Sequence, residues 1–186
     1  GTEMHTKLKK LEKTTLQDQA YEELRDGLMK GHFLPGTVLT TRSLARDMGT
    51  SIMPVRDALQ RLVAERGLTL LPNRTVQVPT LTLTDFNMLT KIRKRMEGLA
   101  AAEAAQHVSE QEIAQIHELN EEMRQAMRDL DSARVLECNT ALHFILYGAS
   151  RSEFLVSVIE TLWMRIGPLL LVPFHRAAVG DAMFES

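Results

Sequence analysis

Apolar residues recur at helical spacing along almost the whole chain, with one interruption between about residues 68 and 78. Leu16, Ala20, Leu24 and Leu28 predict a first helix ending near Gly31, and Pro35-Gly36 then makes a turn. Arg42 to Met48 reads as a short helix behind the caps Thr40 and Thr41, stopped by Gly49. The next helix is expected from about Met53 to Arg66, with Ser51 as N-cap and Pro54 in its first turn. Val55, Leu59, Leu62 and Val63 form its inward stripe. After Gly67 the period changes. Leu68-Thr69-Leu70-Leu71 and Thr75-Val76-Gln77-Val78 flank Pro72-Asn73-Arg74, the pattern of a strand, a turn and a strand.

Val78-Pro79-Thr80-Leu81-Thr82 marks a boundary, beyond which the spacing is helical only. Thr84 is the expected cap of a helix carrying Leu89, Ile92, Met96 and Leu99 on one face as far as His107. Ser109-Glu110-Gln111-Glu112 is a capping box, and Ile113, Ile116, Met123, Met127 and Leu130 are expected inward on the helix it opens. Ser132 opens a third helix, to Gly148. Ser152 opens a fourth with Leu155, Ile159, Leu162, Ile166 and Leu169, in which Pro168 is placed to make a kink. Residues 173–186 leave the pattern. Long helices with short connections predict an antiparallel bundle. The fold class is therefore mainly α. A basic arm (1–13, with Lys7, Lys9, Lys10 and Lys13) precedes a winged helix-turn-helix (14–79), and a helical bundle (80–186) follows.

Two short helices and a hairpin in this order make the layout of a winged DNA reader. Arg56 and Gln60 lie one turn apart on the polar side of the second helix, with side chains long enough to reach base edges in a major groove. Arg74, at the hairpin tip, is placed for phosphate or a minor groove. Taken singly, each is more simply a solvated side chain. The order of elements around them is what points to DNA. Net charge is −2, which argues against bulk nucleic-acid binding, yet it is unevenly divided. Residues 1–79 carry a net +3 and residues 80–186 a net −5, so the basic excess falls on the reader. No stretch approaches the roughly 18 apolar residues of a membrane span. The single cysteine, Cys138, excludes an internal disulfide framework and a cysteine zinc cluster. A cytoplasmic protein without a membrane segment is expected.

At Pro35-Gly36, Leu44-Ala45, Met48-Gly49, Ser51, Pro54-Val55-Arg56, Ala58-Leu59, Arg61-Leu62 and Pro72-Asn73-Arg74 the chain resembles the GntR family of bacterial transcription regulators. The run PVRDAL is the most specific piece. The resemblance implies a homodimer whose recognition helices read a short palindrome in double-stranded DNA, with Arg42 and Arg56 at the matched contact positions. Arg usually follows the capping Ser in that family, where this chain has Ile52, which is suited instead to a thymine methyl. The wing's usual Gly is replaced by Thr75.

The second half resembles the FCD ligand-binding domain of the FadR-like subgroup, a bundle often holding Zn²⁺ or Ni²⁺ beside a small organic acid. Asn139-Thr140-Ala141-Leu142-His143 matches its metal motif. Two further histidines normally come from the last two helices, which this chain is expected to lack. His175, in a Pro-flanked setting, is the only later histidine, so the divalent-metal site is at best half encoded. From spacing alone, Asn139 and His143 suit metal ligation or a core histidine bonded to its neighbour. Arg93 and Glu97 match the family's Arg-x-x-x-Glu run, which fits an effector carboxylate. A solvated pair among Lys91, Lys94 and Arg95 is the plainer reading. The implied function is a ligand-responsive transcription regulator, such as a repressor, and not an enzyme. A metal-dependent hydrolase using His143 has no nucleophile-elbow, phosphate-loop or metalloprotease motif behind it. An adaptor whose winged domain binds protein is the other alternative, and salt-sensitive DNA binding would remove it.

Overall fold

The computed structural model describes residues 15–170 and 172–173, so the basic arm and His175 lie outside the described residues. Helix α1 (Leu16–Met29) opens on a capping box between Thr15 and Asp18. It closes at Gly31, which is left-handed (φ 71°) and lets the His32 N–H reach the Gly27 carbonyl at 2.8 Å. Strand β1 (Val38–Leu39) leads into α2 (Thr41–Asp47) and α3 (Ile52–Ala64), and the hairpin of β2 (Thr69–Leu70) and β3 (Val76–Gln77) completes the head. The sheet order is β1-β3-β2, antiparallel throughout. Four helices follow: α4 (Leu83–His107), α5 (Glu110–Arg128), α6 (Ser132–Gly148) and α7 (Glu153–Leu170). A winged helix-turn-helix is thus followed by a helical bundle, as the spacing predicts.

Several boundaries differ from the expected ones, each for a local reason. Thr40 alone caps α2, and Thr41 is already helical. Thr82 rather than Thr84 caps α4, because Asp85 completes a capping box with it. Helix α3 ends at Ala64, two residues early. The Gly67 N–H bonds the Leu62 carbonyl at 2.9 Å, which places Arg66, not Gly67, at the left-handed position (φ 60°). An L-residue there costs about 1–2 kcal/mol. Arg66→Gly is accordingly expected to raise unfolding stability by about 1 kcal/mol, measured in urea. Leu130, expected inward, occupies the same position after α5 (φ 57°) and is 90% exposed.

The inward stripes also shift. On α4 the buried residues are Leu89, Ala100 and Ala104, while Ile92 and Leu99 are exposed. The small alanines let α6 and α7 approach closely, and this turns Arg93 and Glu97 toward the bundle. Helix α5 packs chiefly on α6, which leaves Ile113 and Met127 exposed as well. Helix α7 runs through Pro168 to Leu170.

Head and bundle share one apolar core, in which Leu24 and Leu28 of α1, Leu59 and Leu62 of α3, and Ile159, Trp163 and Met164 of α7 belong to a single cluster. The α1–α7 contact is the seam. A Cβ on Gly167 would overlap the Leu28 carbonyl oxygen and lie 2.8 Å from that of Met29. Arg25 pairs with Glu160 across the same seam, and the Arg165 Nε–H donates to the Arg66 carbonyl at 3.1 Å.

Candidate nucleic-acid interface and bundle site

Helix α3 buries Val55, Ala58, Leu59 and Leu62, and so presents Ile52, Arg56 and Gln60 to solvent. Ser51 stands at its N-cap with extended backbone but makes no side-chain cap bond. Its usual target includes the N–H of the third helical residue, and that residue is Pro54. The Ser51 hydroxyl is exposed and without a hydrogen-bond partner among the described residues. Arg56 rests one Nη on the Met53 sulfur at 3.9 Å and has no carboxylate in ion-pair range among the described residues. Arg42 is exposed on α2. At the wing, the Arg74 N–H donates to the Leu71 carbonyl at 2.9 Å, while Asn73 Oδ1 accepts from the Thr75 N–H at 3.1 Å. The left-handed residue is Arg74 (φ 63°), so Thr75 needs no glycine-like backbone. Arg42, Ser51, Ile52, Arg56, Gln60 and Arg74 thus lie exposed on three successive elements of the head.

Inside the bundle, Arg93 and Glu97 are not a solvated pair. Their side chains are 20% and 19% exposed, and Arg93 Nε donates to Glu97 Oε1 at 2.6 Å. The same oxygen accepts from Trp163 Nε1 at 3.0 Å, and Oε2 accepts from the Tyr147 hydroxyl at 2.9 Å. His143 Nδ1 lies 3.2 Å from that hydroxyl, and its ring packs between Tyr147 and Trp163. The Arg93 guanidinium stands 5.3 Å from the Trp163 ring centre. Lys91, Lys94 and Arg95 remain outside. Tyr147 and Trp163 were not singled out by spacing. Tyr147 follows His143 by one turn and was in principle readable, whereas Trp163 comes from another helix and gave no signal.

Burial, helped by the Arg93 charge and opposed by Glu97, holds the His143 pKa below its ordinary value. Burial also raises that of Tyr147, with Glu97 adding to it. The folded state therefore prefers a neutral His143, and the unfolded chain takes up the proton first. Stability is full above about pH 6.5 and falls as pH drops toward the folded-state value. The depressed carboxylates act lower. Glu112, held at about 2 by Arg151 and the Ser109 cap, loses its contribution as pH falls from the usual carboxylate value toward about 2, below the window in which His143 acts. The melting temperature is thus expected to be lower at pH 5.5 than at 7.5, and His143→Gln is expected to flatten that difference.

Asn139, one turn before His143 and half-buried, takes no part in this network among the described residues. The two supply at most two donors, His143 Nδ1 is engaged, and the nearest cation is Arg93. Among the described residues no group of three or more His, Cys, Asp and Glu side chains is gathered. These residues do not fit a complete centre for a divalent metal. No helix of the described residues is long and apolar enough to cross a membrane.

The family model described as bacterial regulatory proteins, gntR family, matches residues 16–78, and that of the FCD domain matches residues 88–185. The HTH-type transcriptional regulator McbR of Escherichia coli (strain K12) is 33% identical over 159 residues, covering 86% of this chain and 72% of that protein. The Nta operon transcriptional regulator of Aminobacter aminovorans is 29% identical over 135 residues, 73% of this chain and 64% of that one. The solved structure of E. coli McbR/YncC superposes with a TM-score of 0.82 at 31% identity, covering 90% of this chain and 78% of that chain. A GntR regulator from Rhodococcus sp. RHA1, at 18% identity and TM-score 0.66, shares the fold.

Proposed function

The chain belongs to the gntR family of bacterial regulatory proteins, with an FCD domain behind its winged head, and from that premise we propose a sequence-specific DNA reader tuned by a small organic acid. The family's partner is double-stranded DNA, and its members are transcription regulators rather than enzymes. The observation that carries the proposal is the outward set of α3, Ile52, Arg56 and Gln60, on a helix whose other side is buried. In this reading residues 14–79 form the reading domain and residues 80–186 the effector and dimerisation domain. Arg56 and Gln60 read bases, Ile52 meets a thymine methyl, and Arg42, Ser51 and Arg74 hold phosphates. A homodimer in the cytoplasm presents two such heads to a palindrome. Exposed Leu99, Ile113 and Met127 are apolar surface that a second copy would cover.

The proposed effector site needs no metal. Arg93 spends its Nε–H on Glu97, and its Nη groups, without a hydrogen-bond partner among the described residues, are offered to a ligand carboxylate. Drawing Arg93 away would loosen Glu97 from Trp163, and Trp163 stands one turn from Gly167, where α7 grips α1. That is a route from ligand to head, with coupling of the usual 1–3 kcal/mol. The test is fluorescence anisotropy on a cognate duplex at several salt concentrations. Arg56→Ala should cost about 1–3 kcal/mol per half-site and relax base preference. Arg74→Ala should weaken all duplexes alike and flatten the salt slope. Equal binding by wild type and Arg56→Ala would refute this assignment.

A further inference from the structure

Where head meets bundle, a groove of about 650 Å³ opens between the α3 end, β2, the linker before α4, and helices α4 and α7. This is the size of a small-molecule site. Its walls are mostly apolar. Leu68 and Leu89 are buried, and Leu70, Met88 and Ile92, three of the large apolar side chains left exposed, line it together. Its charged groups are Arg66, Arg165 and Asp85. Asp85 Oδ2 is committed to the α4 cap, where it accepts from the Thr82 N–H at 3.2 Å and the Thr82 hydroxyl at 2.6 Å. Arg165 is half-buried and held by its Nε–H on the Arg66 carbonyl, and its Nη groups have no hydrogen-bond partner among the described residues. Arg66 itself sits on the left-handed turn at the rim.

We propose that this groove binds an amphipathic monocarboxylate, its carboxylate on the Nη edge of Arg165 beside Arg66 and its apolar chain along Leu70, Met88 and Ile92. Charge complementarity selects the head group. Asp85 keeps its negative charge and acts on Arg165, but two guanidiniums against one carboxylate leave the groove net positive, and a planar carboxylate matches the guanidinium edge. The exposed apolar side chains select the body, because an aliphatic or aromatic chain of moderate length would take all three out of water. Such a ligand would touch β2, α4 and α7 at once and so pin the wing to the bundle. The groove shares no residue with the Arg93–Glu97 cage, and the proposal stands without the cage reading.

The probe is sodium octanoate, titrated calorimetrically into the chain, with 1-octanol as the uncharged counterpart. Octanoate should bind at least about tenfold more tightly than octanol. Arg165→Met should weaken octanoate about tenfold or more. Ile92→Glu, which changes an exposed side chain and so leaves the fold intact, should do the same by placing a negative charge in the groove. Arg124→Gln, at an exposed position on α5 outside the groove, should leave the affinity unchanged. Absence of binding up to about 10 mM, equal binding of octanol, or loss on Arg124→Gln with both groove variants unaffected would each overturn the proposal.

Discussion

Gly167→Ala is expected to lower the melting temperature by about 6–12 °C, the equivalent of roughly 3 kcal/mol or more in a chain of this size. The added methyl would meet two backbone carbonyls, those of Leu28 and Met29, and not the mobile end of a side chain. Overpacking a core ordinarily costs about 1–3 kcal/mol, and the backbone of α1 has less freedom to yield than a rotamer has. Gly31 meets α7 from the other side, where a Cβ would lie 2.8 Å from the Gly167 carbonyl, so the seam is tight from both helices. Gly98→Ala is the control. It lies in α4 with nothing within 4 Å of the added Cβ, and should instead gain about 0.5–1 kcal/mol. Thermal unfolding of both variants beside wild type measures the contrast.

Removing the Glu97 carboxylate has an effect of similar size. Glu97→Leu leaves the Arg93 guanidinium, the Trp163 N–H and the Tyr147 hydroxyl without their acceptor, in a site about four-fifths buried. Taking one partner from a buried ion pair costs about 3–5 kcal/mol, mostly as the penalty on the charge left behind. Arg93→Met together with Glu97→Leu should therefore recover much of the loss, since no uncompensated cation remains. Urea unfolding of the two single variants and the double variant gives the coupling directly. A purely steric role for Glu97 would show no recovery.

What the sequence made legible follows the range of the interactions involved. Helices, caps and the wing hairpin were readable because their signals sit within a few residues, as with Thr15 and Asp18 or Ser109 and Glu112. Strand β1 was not, since two residues carry no period and its pairing to β3 spans some forty positions. The face of α4 was misjudged because Ile92 and Leu99 are the larger hydrophobes, while the packing is decided by Ala100 and Ala104. Pairing Arg93 with Glu97 needed only the spacing. Recognising it as an inner group needed Trp163, sixty-six residues away. Arg66 shows a different limit, because Gly67 offers the better turn residue and the helix still ends one position earlier.

The central claim is that the outward side of α3 reads a defined sequence. Its most direct test is selection of bound duplexes from a genomic fragment library by the chain itself, with Arg56→Ala run in parallel. The expected result is enrichment of one short motif with two-fold symmetry by wild type, and loss or broadening of that motif with the variant. Retention of fragments without a shared motif, or the same motif from both proteins, would contradict the account.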